Sequence, residues 1–149
     1  MKIYIGADYH GLAKKELLKY VLITKGYKVQ DEGAFEYQRE DDYNDSAIAV
    51  AKNVREDLGS MGILICDSGH GMTIQANRFK GIRAANCFNP ESAILARQHD
   101  DANVLCLSAR IMEDEEAIDI VMAFLNTTFT EIERRVRRVN RLDEREDYD

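Results

Sequence analysis

The chain has 149 residues, with 20 Lys and Arg against 27 Asp and Glu, so its formal net charge is −7. This length predicts one compact domain over residues 1–149, large enough to bury an ordinary core without a disulfide or a metal staple. The acidic charge argues against nucleic acid or an anionic membrane as a partner. No apolar run approaches the roughly 20 residues that a membrane-spanning helix needs.

Short apolar runs typical of strands alternate with helical patterns along the chain. Strands are predicted over residues 2–7, 27–31, 61–66, 82–86 and 103–107, and helices over 12–25, 47–58, 72–79, 91–98 and 115–125. A last helix is predicted to begin near Thr130, which forms a capping-box pattern with Glu133. The alternation predicts an α/β fold, specifically a three-layer α/β/α sandwich around a five-stranded parallel, Rossmann-like sheet, with an extra C-terminal helix.

The cysteines Cys66, Cys87 and Cys106 form an odd set, and the opening MKIYIGADYHG is strand-like rather than the apolar core of a signal peptide. Such a pattern is typical of reduced thiols. The sequence therefore predicts a cytoplasmic protein.

Polar residues are concentrated where the predicted strands end. Right-handed crossovers place the C-terminal ends of all strands at one edge of a parallel sheet, where ligands bind. We expect the following residues at that edge: Asp8, Tyr9 and His10; Cys66, Asp67, Ser68, Gly69, His70 and Gly71; His99 and Asp100 near the end of the fourth helix; and Arg110.

The turn CDSGHGMT after the third strand is the most informative stretch. Gly69 and Gly71 let the backbone approach a ligand, and the amides that open the next helix are donors at the positive end of the helix dipole. An oxyanion or a phosphate fits there, and Cys66 at such a helix start is expected to have a pKa below its free value of about 8.5. The alternatives are a buried cysteine acting as a small hydrophobic residue and a tight turn that needs two glycines.

The last helix carries Arg134 and Arg138 on one face, since they are four residues apart. Two guanidinium groups on one face suit a phosphate. The alternative is a solvated face whose charges are balanced by Glu131 and Glu133. A terminal helix of this kind could pack on a neighbouring subunit.

Several of these residues are of types that bind metal ions. Asp8, His10, Asp67, His70 and His99 could meet as ligands, but the chain has no H-x-x-H or C-x-x-C spacing to support this. No metal is predicted.

Taken together, these residues resemble the type B ribose-5-phosphate isomerase family, which includes the galactose-6-phosphate isomerase subunits. The shared stretches are IGAD with Gly11 and Lys15, GILIC-x-SGxGM followed by AN and KGIRAA, LARQHDDANVL, and ERRVRRV. The resemblance implies an α/β/α sandwich with a five-stranded parallel sheet. It also implies homodimers or dimers of dimers with shared active sites, and a cofactor-free interconversion of aldose and ketose phosphates through a cis-enediolate.

The resemblance also implies roles for individual residues. Cys66 is implied as the base that moves a proton between C1 and C2, and Ser68 and His99 as groups that assist opening of the sugar ring. The implied substrate-binding groups are Asp8 and Tyr43 at the sugar, the amides of Gly69, His70 and Gly71 at the enediolate oxygen, and Arg110, Arg134 and Arg138 at the phosphate, some of them from a partner chain.

Four site positions depart from the commonest family pattern. Tyr9 replaces a histidine that contacts phosphate, with His10 one place further on; Asp67 replaces a glycine; Asp100 replaces an asparagine at the enediolate; and His70 fills a variable position. An added carboxylate is expected to raise the pKa of a nearby cysteine. We nevertheless predict that Tyr9, His10, Asp67 and Asp100 are substrate-binding residues.

The leading hypothesis is the isomerisation of ribose 5-phosphate to ribulose 5-phosphate without a cofactor. The departures leave open another sugar phosphate, either a hexose or an unusual pentose, and a non-catalytic sugar-phosphate-binding paralogue or partner subunit. A flavodoxin-like nucleotide binder would account for the fold, but not for CDSGHGM together with the arginine helix.

Overall fold

The computed structural model describes residues 1–144, in which five strands alternate with six helices. In chain order they are β1 (Lys2–Ala7), α1 (Leu12–Thr24), β2 (Lys28–Asp31), α2 (Tyr43–Glu56), β3 (Met61–Cys66), α3 (His70–Ala76), β4 (Ala84–Asn86), α4 (Pro90–Asp100), β5 (Val104–Ser108), α5 (Asp114–Asn126) and α6 (Glu133–Asp143). None of the helices described is long and apolar enough to cross a membrane.

The strands form one parallel sheet in the order β2-β1-β3-β5-β4. All six residues of the central strand β3, MGILIC, are buried, as expected for a strand covered on both faces. One core cluster joins the sheet to α1, α4 and α5, and a second joins the opposite face to α2 and α3. The predicted three-layer α/β/α fold is therefore confirmed.

The loop after β1 crosses the end of β3, and Gly11 makes this crossing possible. A side chain at Gly11 would collide with the backbone carbonyl of Ile65. The N–H of Asp8 donates to that same carbonyl at 3.3 Å. Since α1 and α2 leave β1 and β2 for opposite faces of the sheet, the carboxyl ends of β1 and β3 flank the crevice in which such folds bind ligands.

The last helix begins later than its sequence pattern indicates. Helix α6 starts at Glu133 after Ile132, and no side chain caps it, so the capping box predicted at Thr130 is wrong. The Thr130 N–H donates instead to the carbonyl of Gln98 at 3.2 Å, and the Thr130 carbonyl accepts from the Ile132 N–H at 2.9 Å. The segment is thus held against the end of α4, and a tertiary contact outweighs the local capping signal.

A buried ion pair ties α1 to the end of β2. Lys15 is completely buried, and its Nζ lies 2.8 and 2.9 Å from the two carboxylate oxygens of Asp31. Asp31 also accepts from Lys19 Nζ at 2.8 Å and from the Gly33 N–H at 2.9 Å. Burial alone would raise the pKa of Asp31, but these hydrogen bonds outweigh it and hold that pKa below its ordinary value.

We expect Asp31→Asn to destabilise the fold by about 3 kcal/mol at pH 7, because the buried Lys15 ammonium loses its nearest carboxylate and keeps only the exposed Glu16, at 3.4 Å. Since folding lowers the pKa of Asp31, its ionisation stabilises the protein above the unfolded pKa of about 4, and that stability is lost as the pH falls through the folded value. Urea unfolding of both proteins at several pH values should show the difference shrinking in acid.

The matched control is Asp114→Asn, which removes an exposed carboxylate 3.0 Å from Lys14 Nζ. It should cost under about 1 kcal/mol at every pH. A loss for Asp31→Asn that is as large in acid as at neutral pH would contradict the role of the Asp31 charge.

Candidate active site

The loops that follow β1, β3 and β5 are joined at the carboxyl edge of the sheet. The Ala109 N–H donates to the Cys66 carbonyl at 2.8 Å, and the Arg110 N–H donates to the Asp67 carbonyl at 3.1 Å. The Ser108 hydroxyl donates to the same Asp67 carbonyl at 2.7 Å. Together with the Asp8 bond to the end of β3, these contacts fix three polar loops around one crevice.

Cys66 ends β3 and is only 4% exposed. Burial raises the pKa of its thiol, and hydrogen bonds from the N–H groups of Met72, Gly69 and Ser68 offset this only in part, while the Asp8 charge raises the pKa further. The expectation of a lowered pKa at this helix start is therefore wrong, because loss of hydration outweighs the donors. The free site holds a protonated thiol that becomes a strong base once it is ionised.

The turn after Cys66 brings the backbone close to its neighbours. Gly69 has a positive φ of 85°, and a side chain there would approach Asn86 Oδ1 to 2.6 Å. Its N–H donates to Cys66 Sγ at 3.2 Å. A side chain at Gly71 would meet the ring of Tyr43, with 2.5 Å to Cζ. Both glycines are therefore required by close packing, and Tyr43 covers the start of α3.

Ser68 and His70 share a local hydrogen bond, since the His70 N–H donates to Ser68 Oγ at 3.2 Å. Two of the amides predicted to hold an oxyanion, those of Gly69 and His70, therefore have partners within the turn itself. Their present acceptors, the Cys66 sulfur and the Ser68 hydroxyl, are weak, so an oxyanion can replace them as the acceptor of these two N–H groups. The turn is thus arranged to donate to a negative charge near Cys66.

The loop after β1 presents a fixed carboxylate. Asp8 is buried, with Oδ1 accepting from the Gly11 N–H at 3.1 Å and Oδ2 lying 3.3 Å from His10 Nδ1. The His10 ring packs on that of Tyr9 at a centroid distance of 3.9 Å. The Tyr9 N–H donates to Asp41 Oδ1 at 3.3 Å. A carboxylate held in this way can accept hydrogen bonds from sugar hydroxyls.

Asp67 forms an ion pair with Arg110. The Nε of Arg110 lies 3.1 Å from both carboxylate oxygens, and its Nη2 lies 2.7 Å from Oδ2. Hydrogen bonds from Arg110 lower the pKa of Asp67. The carboxylate that raises the pKa of Cys66 is Asp8, whereas Asp67, the added carboxylate expected to act on the thiol, is neutralised by Arg110.

His99 and Asp100 lie at the opposite edge of the sheet, so their predicted place beside Cys66 in the same chain is wrong. They end α4, which runs antiparallel to the strands and leads into the start of β5. The adjacent Asp101 carbonyl accepts from Arg83 Nε at 2.9 Å, before β4 begins. The strands separate the two edges by roughly 17–20 Å.

Arg134 and Arg138 are exposed on α6, which packs against α4. The first turns of α6 are tied to the end of α4 by a bond of 3.3 Å from Arg135 Nη1 to the Gln98 carbonyl. Its last turn is tied to the start of β4, where Asp143 lies 2.9 Å from Arg83. One chain therefore does not bring these arginines to its own carboxyl edge.

Asn86, which ends β4 at the same edge, was not predicted. Its Nδ2 lies 2.7 Å from His70 Nδ1, and its Oδ1 is a buried acceptor without a hydrogen-bond partner in the described chain. The rule that pointed to Asp8 and Cys66, a polar residue at a strand exit, could have found it. Among the residues described, no group of three or more His, Cys, Asp or Glu is placed to hold a metal.

A parallel α/β sheet with a buried thiol, a fixed carboxylate and a donor-rich glycine turn at its carboxyl edge defines an enzyme-like site for a small polar substrate. Comparison with known proteins then gives the family. The ribose/galactose isomerase model matches residues 3–142, so the chain belongs to that family, as the sequence resemblance indicated.

Individual relatives agree along nearly the whole chain. It is 43% identical to the probable ribose-5-phosphate isomerase B of Mycoplasma genitalium over 141 residues, which cover 94% of this chain and 92% of that protein. It is 36% identical to the ribose-5-phosphate isomerase B of Mycobacterium tuberculosis over 146 residues, covering 98% and 90%.

Solved structures of relatives share the fold. The Mycoplasma genitalium ribose-5-phosphate isomerase B with bound ribulose-5-phosphate matches with a TM-score of 0.92 and 41% identity, covering 95% of this chain and 93% of that one. The Thermotoga maritima ribose 5-phosphate isomerase also matches with a TM-score of 0.92 and 41% identity, covering 96% and 97%.

Proposed function

We propose that this protein interconverts ribose 5-phosphate and ribulose 5-phosphate without a metal or an organic cofactor. The observation that carries the proposal is the position of Cys66, a buried base candidate with the Gly69 N–H 3.2 Å from its sulfur and Asp8 acting on its pKa. Ribulose-5-phosphate bound to the Mycoplasma genitalium relative supports the choice of substrate. We further propose that residues 1–149 form one domain that works in the cytoplasm.

In the proposed mechanism, the Cys66 thiolate removes the proton from C2 of the open-chain aldose. The C2–H electrons form the C1–C2 double bond, and the carbonyl electrons move to O1, giving a cis-enediolate. The donors of the turn, Gly69 and His70, stabilise the charge on oxygen. The thiol then returns its proton to C1 while the O2 proton moves to O1, which gives the ketose and restores the thiolate.

The remaining roles rest on the geometry of the carboxyl edge. Asp8 accepts hydrogen bonds from sugar hydroxyls, and Tyr43 covers the substrate from the start of α2. Tyr9 and His10 present their stacked rings beside Asp8. Ser68, half-buried beside Cys66, assists ring opening together with a histidine from a second copy. Arg110 binds the phosphate.

We infer that a second copy of the chain completes each site, in a homodimer or a dimer of dimers. Within one chain, the exposed His99 and Asp100 lie at the amino edge of the sheet, away from Cys66. The exposed Arg134 and Arg138 lie on α6, which is tied to the end of α4. Helix α6 also exposes the apolar side chains of Val136 and Leu142. If a partner related by two-fold symmetry covers α6, the arginines on α6 of each chain lie beside the carboxyl edge of the other chain.

The test is an isomerisation assay on a panel of aldose phosphates that includes ribose 5-phosphate and several hexose 6-phosphates. We expect the highest kcat/KM for ribose 5-phosphate, because a relative with 41% identity and the same fold binds ribulose-5-phosphate. A higher kcat/KM for a hexose phosphate would overturn the substrate assignment. Binding of every sugar without turnover of any would overturn the enzymatic proposal in favour of a binding paralogue.

A further inference from the structure

We propose that Asp67 is a built-in competitor of the substrate phosphate: its carboxylate occupies the guanidinium of Arg110 in the free site and has to be displaced when a phosphate binds. Asp67 is then a residue that sets phosphate affinity. The inference rests on the proposed function, since it takes the ligand to be a phosphorylated substrate.

Arg110 is the cation that an anionic ligand meets in the crevice. It is the only Arg or Lys in the loops after the central strands, residues 8–11, 67–69 and 109–113. Nearby on α1, Lys14 is paired with Asp114 at 3.0 Å and Lys15 with Asp31 at 2.8 Å. The Arg110 side chain is 69% exposed, so a ligand in the crevice can reach it.

The Asp67 carboxylate uses the donors that a phosphate would use. Nε and Nη2 of Arg110 both point at it, with distances of 3.1 and 2.7 Å, in the forked geometry with which arginine also binds phosphate. The two anions therefore cannot occupy these donors together. A carboxylate and a phosphate on neighbouring positions would also repel each other.

The backbone keeps the competitor in place. The Arg110 N–H and the Ser108 hydroxyl both donate to the Asp67 carbonyl, which holds the two side chains on adjacent strand exits. A tethered carboxylate acts at a high effective concentration. Arg110 also lowers the pKa of Asp67, so the competitor stays ionised at neutral pH.

The ion pair between Asp67 and Arg110 is weak enough for a phosphate to displace the carboxylate. Both side chains are partly exposed, and exposed ion pairs contribute little net stability. Removing the carboxylate should therefore tighten phosphate binding by a modest factor, roughly threefold to tenfold, rather than transform it. The pair lowers substrate affinity without abolishing it.

The experiment measures the Kd for inorganic phosphate by titration calorimetry and the KM for ribose 5-phosphate in the same proteins. Asp67→Asn should lower both by the same factor of roughly three to ten. The control Glu56→Gln removes a carboxylate from the Arg55–Glu56 pair, 3.7 Å apart at the far end of α2, and should change neither. In an Arg110→Ala background, Asp67→Asn should tighten phosphate binding by a clearly smaller factor, because the competition for the guanidinium is gone and only the repulsion between the two anions is relieved.

An unchanged or higher phosphate Kd in Asp67→Asn would overturn the inference, and so would equal tightening with and without Arg110. A higher KM would assign Asp67 to a substrate hydroxyl or to positioning Arg110 instead. The phosphate Kd needs no turnover. Tightening in a protein that isomerises no sugar would overturn the proposed function alone, whereas turnover without tightening would overturn the inference alone.

Discussion

Cys66→Ala is expected to lower kcat for ribose 5-phosphate by about 10²- to 10⁴-fold, the range that a positioned general base contributes. The two carboxylates at this edge are engaged elsewhere, Asp67 by Arg110, and Asp8 by Gly11 and His10. The fold should survive, because alanine leaves only a small gap at the end of β3. Steady-state kinetics and circular dichroism test the two halves of this prediction.

The pH dependence of kcat/KM provides a second test of the role of Cys66. The base works as thiolate, and burial raises the pKa of Cys66, so kcat/KM should increase with pH through and beyond the ordinary thiol value of about 8.5. This alkaline rise should disappear in Cys66→Ala.

Cys106→Ala is the matched control for Cys66→Ala. Cys106 lies on the neighbouring strand β5, fully buried, where loss of hydration raises its pKa to about 12, so it cannot serve as a base near neutral pH. Its replacement should leave the alkaline rise in place. Full activity in Cys66→Ala would refute the base assignment, and Asp8, the buried carboxylate that acts on the sulfur, would be tested next.

Restoration of kcat/KM by mixing two impaired variants is the second large effect that we expect. Arg134→Ala should lower kcat/KM by roughly 10- to 100-fold, chiefly through KM, because a charge-assisted contact to phosphate is lost. When Cys66→Ala and Arg134→Ala chains are unfolded, mixed and refolded together, half of the dimers contain one of each. Every mixed dimer then has one intact site, and the mixture should regain about a quarter of the wild-type kcat/KM, measured at substrate concentrations well below KM.

The control for this mixing is Cys66→Ala with Ser68→Ala. Both residues belong to the turn after β3 of the same chain, so every site in a mixed dimer lacks one of them. The mixture should have no more activity than the average of the two variants measured alone. Restoration in this control, or none with Arg134→Ala, would refute the assignment of α6 to the neighbouring site.

Much of the fold follows from patterns that local physics enforces. The apolar run of β3 and the glycine turn after it predict a buried parallel strand and a polar edge, and the structure has both. The prediction that His99 lies at the carboxyl edge is wrong because the helices run antiparallel to the strands. Polar residues at the end of a helix lie at the amino edge of a parallel sheet, and only those at strand ends lie at the carboxyl edge.

Other features depend on burial and on long-range contacts, which exist only in the folded chain. The helix start near Cys66 predicts a lowered pKa, but burial, a property of the packed chain, raises it instead. Asp67 and Arg110 are 43 residues apart and meet only because β3 and β5 are neighbours. Thr130 has the residue type of a helix cap, yet its N–H is used by Gln98.

The most direct test of Cys66-mediated proton transfer is proton NMR of ribose 5-phosphate in D₂O with the wild-type protein and with Cys66→Ala. A thiol that exchanges its proton with solvent should place deuterium at C1 of the ketose and at C2 of the recovered aldose. We predict this labelling with wild type and none above the buffer rate with Cys66→Ala. Labelling at the wild-type rate in Cys66→Ala would contradict the mechanism, because a group other than the thiol would then move the proton.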